Sequence, residues 1–308
     1  FKCGIVLSQN ILKNKSSQID LSVYIKSFLL LMKPRVMSLV LFTAMVGLLV
    51  APVTVSFTTA SLSLLAVAIG SGAAGALNMW YESDVDALMS RTCLRPIPTG
   101  KIKRDQALLF GIILSFISIV MLYLSSNLIS AILLAVTISF YFFIYTIWLK
   151  RKTAQNIVIG GAAGALPPVI GWAVAMNNIS LEPIVMFLII FIWTPSHFWA
   201  LSLYKFKDYE KAKIPMLPIT AGIKKTKLNI LLYAILMLPV VVVPFFIGFG
   251  SIIYLVLSLG MTIYYINLCY LLFKTKVVSK SNLIARKVFV YSIFYLFFLF
   301  LLILFDNL

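Results

Sequence analysis

The sequence predicts an all-α membrane protein, a bundle of about nine transmembrane helices around a central cavity, and three observations carry that prediction. Of the 308 residues, 62% are apolar and only 11% charged, with mean hydropathy +1.04, which is more apolar surface than a water-soluble core can bury. Nine stretches reach the roughly 20 apolar residues that cross a bilayer. None alternates polar and apolar residues like a barrel strand, so helices, which satisfy their own backbone, are the expected form.

In order, the stretches are 35–53, 60–80, 106–124, 127–148, 156–176, 183–203, 228–249, 251–272 and 288–305. Before them, Asp20 to Met32 (DLSVYIKSFLLLM) reads as an amphipathic segment along the interface. Residues 1–34 are therefore taken as a cytoplasmic and interfacial N-terminal segment, and 35–306 as one polytopic domain with cytoplasmic acidic loops at 78–105 and 204–227. The apolar run Gly4 to Leu7 is too short for a cleavable signal, and Phe1 reads as a clipped or differently initiated start. Small residues at Gly70 to Gly75 (GSGAAG) and Gly160 to Gly164 (GGAAG) point to close helix packing. Pro167 and Pro168 should kink the fifth span. Cys3, Cys93 and Cys269 have no metal-ligand spacing and are expected to be free thiols.

Charge is distributed asymmetrically. Lys and Arg number six before the first span, five between spans two and three, three between four and five, seven between six and seven and five between eight and nine. The alternate loops carry none, so the positive-inside rule puts the N-terminus in the cytoplasm and, with nine spans, the C-terminus outside. Topology and anionic lipid account for most of these cations. They do not account for Asp20, Glu82, Asp84, Asp86, Asp105, Asp208 and Glu210, seven of the nine acids, which fall on the same side. Five of them form two short clusters, and such clusters at a membrane mouth point to function.

The first cluster lies in LNMWYESDVDALMSRTCLRPIPTG, from Leu77 to Gly100. On a continuing helix Asn78, Glu82 and Asp86 stand at i, i+4 and i+8 and line one face, with Asp84 turned away toward a loop cation. A sparse row of hard oxygens suits Mg²⁺, which takes one or two carboxylates together with phosphate oxygens. The second cluster, YKFKDYEKAKIPML from Tyr204 to Leu217, follows the sixth span, four helices later and so on the same side. Each cluster leads into a Pro-containing loop, which hints at a duplicated four-helix unit with its acidic ends facing each other. Arg91, Arg95, Lys150, Arg151, Lys205 and Lys207 interleave with the acids. Carboxylates for Mg²⁺ with cations around them are the constellation that binds a diphosphate and stabilises it as a leaving group.

His197, the only histidine, sits within the sixth span in WTPSHFWALSL. A lone membrane histidine is most often hydrogen-bonded to a neighbouring helix. Eleven residues before Asp208, however, it would share a face with that acid on a continuing helix, roughly 16 Å away, a gap that a large flat substrate can span.

The segments LMKPRVMSLV (Leu31 to Val40), NMWYESDVDALMSRTCLRPIPTG, YTIWLKRKTAQNIVIGGAAGALPPVIGW (Tyr145 to Trp172), TPSHFWAL and DYEKAKIPMLP together resemble the haem O synthase branch of the UbiA-type intramembrane prenyltransferases. The resemblance implies transfer of farnesyl from farnesyl diphosphate to a vinyl group of haem b, with addition of water, for the haem O and haem A of terminal oxidases. Haem b is then a substrate and Mg²⁺ the cofactor. It further implies that Asn78, Glu82, Asp86 and Asp208 hold Mg²⁺ and diphosphate, that Arg91, Arg95, Lys150, Arg151 and Lys205 bind the diphosphate, and that His197 and Trp199 position haem. A bacterial inner membrane, with the mitochondrial inner membrane as the alternative, is the implied location. Haem A synthase or oxidase assembly factors are the implied partners beside the lipid bilayer, and no nucleic acid is expected.

Three positions depart from the family pattern: Glu82 stands where Asp is usual, Ser196 replaces a common Pro, and Ala212 occupies the place of a second Asp in other branches. Two other readings remain open on the residues alone. A sister prenyltransferase acting on a quinone precursor would share the acidic clusters, and a transporter would share the span count. Transporters, however, generally hold their charges near the midplane.

Overall fold

The computed structural model describes residues 21–308, so the expectations for the start of the chain, Gly4 to Leu7, Cys3 and Asp20 among them, lie outside the described residues. The described residues form helices joined by turns: α1 (Leu21–Leu31), α2 (Pro34–Leu49), α3 (Phe57–Tyr81), α4 (Ser83–Leu88), α5 (Arg104–Ser125), α6 (Leu128–Ser139) running into a π-helical stretch (Phe140–Leu149), α7 (Asn156–Ala165), α8 (Pro167–Met176), α9 (Leu181–Tyr204), α10 (Phe206–Lys211), α11 (Leu217–Thr220), α12 (Gly222–Phe246), α13 (Ile252–Lys274) and α14 (Val278–Asp306). This is a multi-pass membrane protein. Among the described residues eight spans are long and apolar enough to cross, with α6 and its π-helical stretch counting as one and α7 with α8 as another.

The first of the nine expected stretches is shorter than hydropathy suggested. It forms α2, 16 residues from Pro34, or about 24 Å, against a hydrocarbon core of about 30 Å. The remainder of that stretch, from Val50, is turn. At the other end of the chain, α14 begins ten residues before the apolar run at 288, because a helix need not stop where its sequence turns basic. Pro167 and Pro168 split the fifth span at Leu166, as their ring geometry requires.

The two ends of the bundle are held differently. Where the loops carry no cations, helices open on neutral caps: Ser56 Oγ accepts the Thr59 N–H, Asn127 Oδ1 the Ser130 N–H and Ser251 Oγ the Ile253 N–H. At the basic end, neighbouring segments are tied by charged groups, described below. Helices α3 and α9, each followed by an acidic segment, pack against the next long helix after that segment, α5 and α12 respectively. That arrangement agrees with the expected duplication.

The small-residue runs have specific partners. A side chain at Gly72 would overlap Met32, and one at Gly75 would press on the Leu31 carbonyl, so the run lets the α1–α2 turn lie directly on α3. That turn carries Lys33, in the left-handed region at φ 54°. Likewise a Cβ at Gly160 would run into the Tyr145 ring. One cysteine differs from expectation, Cys93, which is disulfide-bonded, whereas Cys269 is free as expected and buried among apolar side chains.

Candidate functional site

At the basic end α3 passes into α4 through Glu82, whose φ of −94° and ψ of 9° mark the joint. Register nevertheless survives, because Glu82 N–H donates to Asn78 O (3.0 Å) and Asp86 N–H to Glu82 O (2.8 Å). The row read from the i, i+4, i+8 spacing is therefore present. Its members are only 2%, 4% and 3% exposed, so each needs a polar partner.

Each has one, two of them from far away in sequence and the third from the loop nine residues on. Lys33 Nζ donates to Asn78 Oδ1. Lys150 Nζ donates to Glu82 Oε2 at 2.6 Å, and Arg95 Nη1 reaches both Asp86 oxygens at 2.8 and 2.7 Å. Asn78 also donates through Nδ2 to Thr146 Oγ1 at 3.2 Å. Asn78–Thr146 and Glu82–Lys150 are successive rungs between α3 and the π-helical stretch. The wider winding of that stretch shows in the bonds Lys150 N–H to Tyr145 O and Thr146 Oγ1 to Tyr141 O, each spanning five residues. Lys150 Nζ lies 5.5 Å from the centre of the Tyr145 ring, which Gly160 leaves room to accommodate.

The two lysines of the row differ because their partners differ. Burial alone would lower Lys150, but the Glu82 carboxylate beside it prevails and raises it. Lys33 faces a neutral amide instead, and desolvation followed by the nearby Arg95 charge pulls it down to about 7. An anion entering the row would meet a cation with no carboxylate of its own.

Asp84 points away from the row, as its position in the helix requires, and accepts a two-pronged bond from Arg151 at 3.0 and 2.7 Å. This pair is exposed, and Arg151 also lies over the Tyr81 ring. Its guanidinium is thus directed to Asp84 and not toward the row, where the family resemblance had placed it.

The second acidic segment meets the first directly. Asp208, half-buried on α10, accepts from Ser90 Oγ with both oxygens at 2.9 and 2.8 Å. It does not join Asn78, Glu82 and Asp86 around one point. Among the described residues no three acids, histidines or cysteines converge as a closed metal site. Arg91 is exposed and Lys205 half-buried, and neither forms an ion pair among the described residues. The chain also breaks at Lys205 (φ −106°, ψ 20°) between α9 and α10. His197 and Asp208 therefore do not lie on one continuous helix, and the shared face expected from eleven-residue spacing does not carry through.

His197 is buried within α9 between two parallel rings, Trp193 at 4.3 Å and Phe289 at 4.5 Å, and its Nδ1 lies 2.7 Å from Ser292 Oγ on α14. Trp199 packs edge-on against Tyr233 of α12, with its Nε1 buried and unpartnered. Two residues apart on a helix is about 200°, so Trp199 faces away from His197 and the two do not form one surface. Ser196, in place of the common Pro, is fully buried and bonded to the Tyr265 hydroxyl at 2.8 Å.

Sequence reasoning missed Lys33, Ser90, Thr146 and Ser292. Lys33 carried a signal, a cation immediately before the proline that opens the first apolar stretch. The others are ordinary hydroxyls whose partners lie 68 to 118 residues away.

A helical membrane bundle with a buried row of hard oxygens, cations against each rung and a second acidic segment across from it defines an enzyme class that handles anionic, lipid-soluble substrates at one mouth. The chain belongs to the UbiA prenyltransferase family, whose model matches residues 40–302. It is 61% identical over 297 residues to a protoheme IX farnesyltransferase of Pelagibacter ubique (strain HTCC1062), covering 96% of this chain and 98% of that one. Similarity to the protoheme IX farnesyltransferase of Parvibaculum lavamentivorans is 48% over 282 residues, with 92% and 89% covered. The fold is similar to a solved digeranylgeranylglyceryl phosphate synthase (TM-score 0.76, 18% identity, 92% and 98% covered). It is also similar to a UbiA homologue from Archaeoglobus fulgidus bound to GPP and Mg²⁺ (TM-score 0.66, 16% identity, 88% and 99% covered).

Proposed function

We propose that this chain transfers farnesyl from farnesyl diphosphate to a vinyl group of haem b, with addition of water, giving haem O and diphosphate. The observation that carries the reading is the buried row Asn78, Glu82, Asp86 with Lys33, Lys150 and Arg95 against it. The relatives' shared name supports the choice of substrates.

The donor set of the row fits Mg²⁺, being all oxygen, with two carboxylates and room for phosphate oxygens to complete the shell. Asn78, Glu82 and Asp86 would hold it, with Asp208 across the mouth, and the ion would supply charge neutralisation at the leaving diphosphate. The two carboxylates are balanced by Lys150 and Arg95, Lys33, held down to about 7, takes up its full charge only as an anion arrives beside it, and a divalent ion would make the row strongly cationic, as a diphosphate requires. With the carboxylates holding a metal, Lys150, Arg95 and Lys33 would be the cations nearest the phosphates, and Arg91 and Lys205 would meet the anion at the mouth.

The C1–O bond of farnesyl breaks with its electron pair leaving on diphosphate. The vinyl π pair forms the new C–C bond, and water captures the resulting cation on the porphyrin side and releases a proton. No protein nucleophile is required. Supported by the positive-inside bias, the basic end is placed in the cytoplasm of a bacterium, in its inner membrane, with haem A synthase or an oxidase assembly factor as the partner that takes the product.

Mass spectrometry of haems from cells making the wild-type chain or Asp86→Asn tests this. Haem O is expected only with wild type, and haem O from the variant at wild-type yield would refute the role of the row. Prenylation of 4-hydroxybenzoate in place of haem b would transfer the reading to a quinone precursor.

A further inference from the structure

Ser292 is placed where it decides which nitrogen of His197 carries the proton. Its Oγ is 2.7 Å from the Phe289 carbonyl, three residues back in α14, and donates to it. The same oxygen is 2.7 Å from His197 Nδ1. A hydroxyl has one proton, and with the Phe289 carbonyl taking it, the proton in the bond to histidine is the one on Nδ1. A neutral imidazole with Nδ1–H has a bare lone pair on Nε2.

The ring has little freedom to escape this arrangement. Trp193 and Phe289 lie parallel to it within 22° and 26°, and Trp193 Nε1 donates to the Ser292 carbonyl at 2.8 Å. Residue 292 therefore holds α9 through both its carbonyl and its hydroxyl. His197 Nε2 makes no hydrogen bond among the described residues and is not one of the sealed, unpartnered polar atoms. A lone pair left in this way accepts a hydrogen bond or a metal and cannot donate.

We propose that Ser292 is a positioning residue that locks His197 as the Nδ1–H tautomer and so presents an unprotonated Nε2 to the iron of the porphyrin substrate. The assignment rests on haem b being that substrate. A ligating histidine held through its other nitrogen binds metal more tightly, and loss of the holding group typically costs 10–100-fold in affinity.

The test titrates the purified full chain with iron(III) protoporphyrin IX and with metal-free protoporphyrin IX, in wild type, Ser292→Thr and its isostere Ser292→Val. Wild type should show the Soret spectrum of histidine-ligated iron. Ser292→Thr should retain it, and Ser292→Val should bind the iron porphyrin about 10–100-fold more weakly while binding the metal-free porphyrin as wild type does. A purely structural role would move both porphyrins together, and that result, or no change in either, overturns the assignment while leaving the haem reading in place. A wild-type Soret spectrum without histidine ligation overturns it without recourse to any variant. Failure of wild type to bind either porphyrin removes the haem reading along with it.

Discussion

At the end of α3 every member of the oxygen row faces a cation, whereas among the described residues Asp208, past the end of α9, has a side-chain partner only in the hydroxyl of Ser90, and neither Lys205 nor Arg91, in the loop after α4, pairs with a carboxylate. Burial explains the contrast. The row is almost wholly withdrawn from water, and a carboxylate in that position is unstable without a counter-charge. Asp208 keeps part of its surface and can do without one. Two helices that each lead into an acidic segment thus end in a deep, charge-balanced cluster and a shallow, available one.

The comparison yields graded predictions. Asp86→Asn should lower haem O formation at least about a thousandfold, the several kcal/mol expected when metal and leaving-group stabilisation is lost. Asp208→Asn, measured in the same membranes, should lower it by about 10–100-fold, and equal losses would show that the two segments contribute alike. Next in size is an effect on folding. Lys150→Met leaves Glu82 buried and unpaired at about 3–5 kcal/mol, seen as a lower melting temperature in detergent. Adding Glu82→Gln should restore most of the stability and none of the activity. Gly160→Ala should cost about 1–3 kcal/mol through overlap with Tyr145, and also reduce turnover because that ring lies beside Lys150. Smallest is Arg151→Ala, which breaks an exposed pair worth under about 1 kcal/mol and should alter turnover less than about threefold.

Much of this architecture was legible in the sequence. The fifth stretch, 156–176, coincides with Asn156–Met176, and the third and fourth differ from the observed spans by a residue or two. Those spans are bounded by polar turns, so hydropathy and helix end together. For α14 they do not, because Val278 to Lys287 are already helical before the apolar run begins. The acidic row was legible because its four-residue spacing is local. Its counter-ions were only partly so. Lys150 and Arg95 stand next to acidic or helix-end motifs, but nothing local to Lys33 or Thr146 reveals that both converge on Asn78. The alignment of His197 with Asp208 failed for the converse reason. It assumed a continuous helix through Lys205, where the backbone turns.

The ladder joining α3 to the π-helical stretch, with Lys33 and Arg95 beside it, balances the buried charges of the row from within the protein. On the proposed reading the lysines and arginine would hold a metal's place against the carboxylates, and the carboxylates a diphosphate's place against the cations. Substrate entry would then be an exchange of partners in place, not the burial of new charge.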